Sequence, residues 1–201
     1  MAKKIILAGI LGGLALFVWE AMAHMMLPLG EAGVKAIGSE QIVLSALKEN
    51  IKEPGFYFFP APDRTPGMSK EQRQEAERKI QETWRTGPSG IMVFHPQGTG
   101  VTFPQQLATQ CIADVLAMLL AAILLSWVTG ITGYAGRVLF IALLGLFPTL
   151  AVEVPLWNWY GFPTIYTLAQ FTIHLAGFAV GGLVLAALVR PATPSSAGPS
   201  V

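Results

Sequence analysis

The chain has 201 residues, of which 53% are hydrophobic and 12% are charged, and its formal net charge is +1. A soluble domain carries about twice that charged fraction, so the composition and the mean hydropathy of +0.54 favour a membrane protein. The small net charge excludes a global basic field for nucleic acid. The single cysteine, Cys111, excludes an intramolecular disulfide and a cysteine-based metal motif.

Four apolar stretches are long enough to cross a bilayer as helices, which takes about 20 residues each. They cover residues 5–27, 107–128, 138–154 and 165–189. Stretches this long and uniformly apolar do not fit the strands of a membrane β-barrel. The predicted fold class is therefore all-α transmembrane, a four-helix membrane bundle.

The first stretch also has features of a secretory signal peptide. Lys3 and Lys4 precede the apolar run, and residues 21–23 match an A-x-A cleavage site. However, Glu20 lies inside the supposed cleavage region, and the apolar character continues to Leu27. We therefore expect a retained helix, although the sequence by itself leaves cleavage open.

The segment 28–104 between the first two spans predicts a small α+β domain. Two helices and two strands are expected in it: residues 41–51 and 69–84 as helices, residues 56–59 and 91–94 as strands. Ser69 and Gln72 have the spacing of a capping box that opens the second helix. The two strands could pair, although two strands alone are marginal in water, and we expect the segment to form an extracytoplasmic cap.

Basic residues in the short connections predict the orientation of the spans. They flank the N-terminus, the connection after the second span and the end of the fourth span: Lys3, Lys4, Arg137 and Arg190. The connection 155–164 has no Lys or Arg. Both termini are therefore expected in the cytoplasm, where residues 191–201, rich in Pro, Ser, Ala and Gly, predict a disordered tail.

Ionisable residues inside the four spans are the most informative feature of the chain. With alternating helix direction, five of them fall at nearly one depth, near the outer membrane face: Glu20, His24, Asp114, Glu153 and His174. Charged groups in hydrocarbon are costly and normally face a protein interior or a cavity. We therefore expect an ion- or metal-binding layer, supported from a second shell by Gln110, Gln170 and His95.

Small residues lie on the same helical faces as these ionisable groups. GxxxG pairs, which let membrane helices approach closely, occur on the first and fourth spans: Gly9 with Gly13, and Gly177 with Gly181. The polar groups should therefore point into the bundle and toward one another.

Several functions fit such a layer. Carboxylates and imidazoles suit a divalent metal such as Zn, Fe or Mn, and buried acids also suit binding or relay of protons. Haem held by His24 and His174 is disfavoured, because no specific motif supports it. The polar groups can instead simply join the helices.

An alternative is a non-catalytic subunit or scaffold whose GxxxG faces dock another membrane protein or a second copy of the chain. The sequence contains no catalytic motif, which favours a protein that is not an enzyme without settling the matter. The expected partners are therefore the lipid bilayer and such a membrane protein or second copy. No nucleic acid is expected as a partner.

Four short segments carry a resemblance to a known family. They are residues 19–25 with Trp19 and His24-Met25, the Leu-Pro-Leu-Gly-Glu-Ala-Gly run at 27–33, and the aromatic runs 54–60 and 157–163. In these four segments the chain resembles an uncharacterised family of small bacterial membrane proteins. The resemblance implies a retained first helix and a bacterial inner-membrane location. It implies no activity, substrate or site residue.

Overall fold

The computed structural model describes residues 2–62 and 65–189. The chain divides into two compact units, Met1–Val34 with Val101–Val201, and Lys35–Gly100. The tail predicted to be disordered, residues 191–201, lies outside the described residues.

The first unit is helical and the second combines two helices with two strands. Numbered in chain order, the helices of the first unit are α1 (Ala2–Met25), α4 (Phe103–Trp127), α5 (Tyr134–Leu144), α6 (Leu146–Pro148), a π-helical turn (Thr149–Glu153), α7 (Val154–Tyr160) and α8 (Thr164–Leu188). The second unit contains α2 (Glu40–Asn50), β1 (Gly55–Phe59), α3 (Lys70–Thr86) and β2 (Gly90–Phe94).

Four helical stretches are long and apolar enough to cross a membrane, as predicted. They are α1, α4, the continuous run Tyr134–Tyr160 that includes α5 to α7, and α8. Only 22% to 33% of the most apolar window of each stretch is buried inside the molecule. The remaining apolar side chains face outward, so the first unit needs an apolar environment.

The third stretch is longer than predicted. We expected it to end at Val154, before Pro155, but helical structure continues to Tyr160. Pro148 has no N–H for the carbonyl four residues earlier, and the π-helical turn that follows it keeps the chain helical. The helix ends at Gly161, whose φ of 71° is the left-handed conformation that glycine adopts most readily.

Packing in the first unit follows the order α4, α1, α8, α5. Helix α1 lies between α4 and α8, and α8 also packs along α5. The core cluster includes Leu16, Met118, Leu125, Ile141 and Leu185, each at most 2% exposed. These side chains come from all four stretches, so the core joins them into one unit.

Close approach of the helices depends on glycine. A Cβ at Gly9 would lie 2.7 Å from the Cα of Leu119, and one at Gly13 would overlap the backbone of Val115. A Cβ at Gly177 would lie 2.6 Å from the Leu16 side chain, and one at Gly181 would meet Met118. Each of these glycines therefore faces another helix of this chain.

The second unit is built around an antiparallel pair of strands. The register pairs Gly55 with Phe94 and Phe59 with Gly90, which confirms the predicted pairing. The predicted capping box is also confirmed, because Gln72 N–H donates to Ser69 Oγ at 3.3 Å and Ser69 N–H to Gln72 Oε1 at 2.8 Å. Trp84 Nε1 on α3 donates to the carbonyl of Pro60 after β1.

Candidate functional site

Two carboxylates on neighbouring helices are bridged by one amide. Gln110 Nε2 on α4 donates to Glu20 Oε2 on α1 and to Asp114 Oδ1, each at 2.8 Å. Because both oxygens lie 2.8 Å from one nitrogen, they are at most twice that, 5.6 Å, apart. Gln110 and Asp114 are four residues apart and therefore share a face of α4. The glycine contacts between α1 and α4 bring Glu20 to that face.

No cation pairs with either of these carboxylates in the described part of the chain. Within residues 2–62 and 65–189, the ion pairs are all on α3, so neither acid is paired with Lys, Arg or His. Asp114 is 4% exposed, and its second oxygen, Oδ2, has no hydrogen-bond partner within residues 2–62 and 65–189. Buried polar atoms are usually satisfied, so an unpartnered one invites a proton, water or ligand.

A cavity of about 360 Å³ lies beside the pair, between α1, α4 and α8. Five polar residues line it: Glu20, His24, Gln110, Gln170 and His174. All five were predicted to belong to the site. Gln170 is 8% exposed, and its side chain makes no hydrogen bond within the part of the chain described. The cavity therefore presents a buried amide with unused hydrogen-bonding capacity.

His174 connects the cavity to the third stretch. Its Nδ1 lies 3.3 Å from Thr149 Oγ1, and Thr149 is 1% exposed in the π-helical turn. The hydroxyl can donate to this nitrogen or accept from it, depending on the tautomer. The tautomer of His174 therefore sets whether its other ring nitrogen is a hydrogen-bond donor or an acceptor toward the cavity.

Glu153 does not join the cavity. It is 8% exposed and lies in the same π-helical turn as Thr149, and its Oε2 has no hydrogen-bond partner among the residues that the structure describes. The five predicted residues are therefore split, because the π-helical turn holds Glu153 apart from the bridged pair and from the cavity lining. A turn of this type widens the helix and changes which side chains share a face.

His24 is exposed, at the end of α1, where we expected an inward-facing group. The loop after α1 turns back over it, because Gly30 N–H donates to the carbonyl of Ala23 at 3.3 Å. A Cβ at Gly30 would lie 2.7 Å from His24 Nδ1. The close contact with His24, which lines the cavity, therefore requires glycine at position 30.

His95 lies in the second unit, directly after β2, where its backbone carbonyl accepts from Gly98 N–H at 3.0 Å. The sequence placed it in a second shell around the layer. That role stays a prediction.

No group of three or more His, Cys, Asp or Glu residues able to hold a metal ion occurs among residues 2–62 and 65–189. The expected layer does not converge on one centre, because Glu153 is not among the residues that line the cavity and His24 is exposed. Structural zinc takes four protein ligands and catalytic zinc three. The carboxylate pair alone supplies two acidic groups.

Comparison with protein-family models, with curated proteins and with solved structures gives no match. Function must therefore be argued from the chemistry of the cavity and of the bridged carboxylates.

Sequence reasoning missed the apolar walls of the cavity. Phe17, Met25, Phe103 and Leu107 line it together with the polar groups. The spacing of Phe17 three residues before Glu20 was an available signal, because such residues share a helix face. Nothing in the sequence indicated that Phe103, at the very start of α4, reaches the same space.

Proposed function

We propose that the chain is a multi-pass protein of the bacterial inner membrane, with both termini in the cytoplasm and residues 28–104 outside. The four apolar stretches support a membrane location. The basic residues beside the short connections support the orientation, and the resemblance to small bacterial membrane proteins supports the choice of membrane.

We further propose that the bridged pair of Glu20 and Asp114 binds a proton near the outer membrane face. The carrying observation is that two carboxylates share the Gln110 amide and have no cationic partner among the described residues. Two negative charges at most 5.6 Å apart repel by at least about 3 kcal/mol at an effective dielectric constant of about 20. Desolvation of the buried Asp114 carboxylate costs several kcal/mol more.

The amide does not offset these costs. A hydrogen bond to a charged group contributes about 1.5–3 kcal/mol, and much of that remains when one acid is neutral. A single proton on the pair removes the repulsion and one desolvated charge. Zn, Fe or Mn is less well supported as the occupant, since two acids and an amide leave most of a coordination shell empty.

Infrared difference spectroscopy of the protein in lipid tests this function. We expect a carbonyl stretch from a protonated carboxyl at neutral pH that disappears as the pH is raised. It should be lost in Glu20→Gln or Asp114→Asn. Glu153 is a separate buried acid, so its signal cancels when the spectrum of each variant is subtracted from that of the wild type.

Glu31→Gln is the matched control, because Glu31 is an exposed acid in the loop after α1. It should leave the band unchanged, and circular dichroism should show equal helicity in all variants. The proposal fails if the wild type and Glu20→Gln give the same carboxyl spectrum. It also fails if the purified protein contains a metal that Glu20→Gln lacks.

A further inference from the structure

The cavity beside the bridged pair holds several hydrogen-bond acceptors that protein groups leave free. Gln110 uses its amide nitrogen for both carboxylates, which leaves its Oε1 available. Glu20 uses Oε2 for Gln110, and no protein donor binds its Oε1 within residues 2–62 and 65–189. Gln170 adds a buried amide with no protein partner in the same part of the chain.

The remaining wall of the cavity is apolar and partly aromatic, with Phe17, Phe103 and Leu107 among its lining residues. Among the described residues, no Lys or Arg lines it. Its volume of about 360 Å³ lies in the range of sites for small molecules, roughly 300–1,000 Å³. A suitable ligand therefore combines an apolar body with a head that donates hydrogen bonds and carries positive charge.

We propose that this cavity binds a small protonated primary amine with an apolar body. An ammonium head has three donors and no acceptor, which matches Glu20, Gln110 and Gln170. The carboxylate pair supplies the opposite charge, and the rings of Phe17 and Phe103 tolerate a nearby cation. An anion would meet uncompensated negative charge here, and a neutral ligand would forgo the attraction.

This inference rests on the proposed proton site, because amine and proton would compete for the same negative charge. Four titratable groups bear on that competition: Glu20 and His24 on α1, Asp114 on α4 and His174 on α8. Protons on the acids neutralise the attraction, and protons on the imidazoles add repulsion. Both effects weaken amine binding as the pH falls.

A protonated amine can reach the site as a free molecule or as the ethanolamine headgroup of a membrane lipid. Both present the same ammonium chemistry. A lipid headgroup also carries a phosphate, for which the described lining residues include no Lys or Arg. The free amine is therefore the better fit, and the two sources are distinguished by the lipid used in the test.

Calorimetric titration of the full chain in phosphatidylcholine nanodiscs tests the proposal, with 2-phenylethylamine as the ligand and 2-phenylethanol as its uncharged counterpart. We expect saturable binding of the amine, and binding of the alcohol that is weaker by at least about tenfold. Amine affinity should fall from about pH 8 to about pH 5.

Variants identify the groups involved. Glu20→Gln should weaken amine binding by at least about tenfold, while the exposed control Glu31→Gln should leave it unchanged. Gln170→Leu, which replaces the amide by an apolar group, should weaken binding without changing helicity. His24→Gln with His174→Gln should retain the pH dependence that comes from the acids.

Equal affinity for amine and alcohol, or unchanged binding in Glu20→Gln, would overturn the inference. Reduced apparent affinity in nanodiscs that contain phosphatidylethanolamine would identify the lipid headgroup as the occupant, and unchanged affinity would identify the free amine. If the infrared band is present but the amine does not bind, this inference fails alone. If the band is absent, the proton site fails too.

Discussion

A methyl group on Gly13 would limit how closely α1 and α4 approach each other. Val115 on α4 has its backbone directly against Gly13 on α1, with its N atom 2.7 Å from where a Cβ would stand. Backbone cannot rotate away as a side chain can. Two turns further along α1, Glu20 meets Gln110 at 2.8 Å, so the hydrogen bond of the site depends on the same helix approach.

We expect Gly13→Ala to lower the free energy of unfolding by about 1–3 kcal/mol, as overpacking of a filled core does. It should also weaken the infrared signal of the bridged pair by moving α1 from α4. Unfolding of the protein in mixed micelles with increasing dodecyl sulfate measures the change. Gly133→Ala is the control, because its φ is −74° and no atom lies within 4 Å of its Cβ position. The explanation is wrong if both variants lose equal stability.

Helix α3 illustrates stability at the level of one element. It is highly charged and packs few apolar groups, so its ends and ion pairs matter more than for α1 or α8. Hydrogen bonds from the backbone N–H of Glu71 and from the Ser69 hydroxyl lower the pKa of the Glu71 carboxyl. The hydrogen bond from Arg78 lowers the pKa of Glu75. Both carboxylates thus favour the helical state when they are ionised.

We expect α3 to lose helical structure in acid. A carboxylate whose pKa is lower in the folded state stabilises that state above its unfolded pKa, about 4.3. The contribution disappears as the pH falls through the lower folded value. Cα chemical shifts of residues on α3, measured on the full chain, should move toward coil values below about pH 4.

A variant combining Glu71→Gln with Glu75→Gln provides the comparison for this titration. Its α3 should be less helical at neutral pH and should change little on acidification. The same acid-induced change in the variant would assign the effect to other groups.

At the scale of the whole chain, the membrane topology is defined by which ends of the four stretches share a membrane face. Four consecutive crossings would return the C-terminus to the side of the N-terminus. The connection at 129–133 would then lie with the termini, and the connection at 161–163, just after Asn158 on α7, on the opposite side. The basic residues predict that the termini are cytoplasmic.

Cysteine labelling of whole cells with a permeabilised outer membrane tests this topology. In a Cys111→Ala background, an impermeant maleimide should label Asn158→Cys and leave Thr132→Cys unlabelled until the inner membrane is opened. Both positions are exposed in the structure, so burial does not bias the comparison. Labelling of Thr132→Cys in intact cells would reverse the proposed orientation.

Much of the secondary structure followed from local pattern. The four apolar stretches, the two strands and the capping box at Ser69 depend on composition and on spacings of two to four residues, which the sequence displays directly. The end of the third stretch was misplaced because Pro155 usually marks a helix boundary. Here the helix continues through it after a π-helical turn, and both this turn and α7 contact α8.

The sequence by itself determined that polar groups would occur on the apolar helices, on the faces that also carry glycine, because both follow from helical periodicity. Only the tertiary structure decided which of them meet. It bridged Glu20 to Asp114 through Gln110, set Glu153 apart and left His24 at the rim. The physical reason is that helix rotation and separation are set by contacts between distant residues, such as Gly13 with Val115 and Gly177 with Leu16.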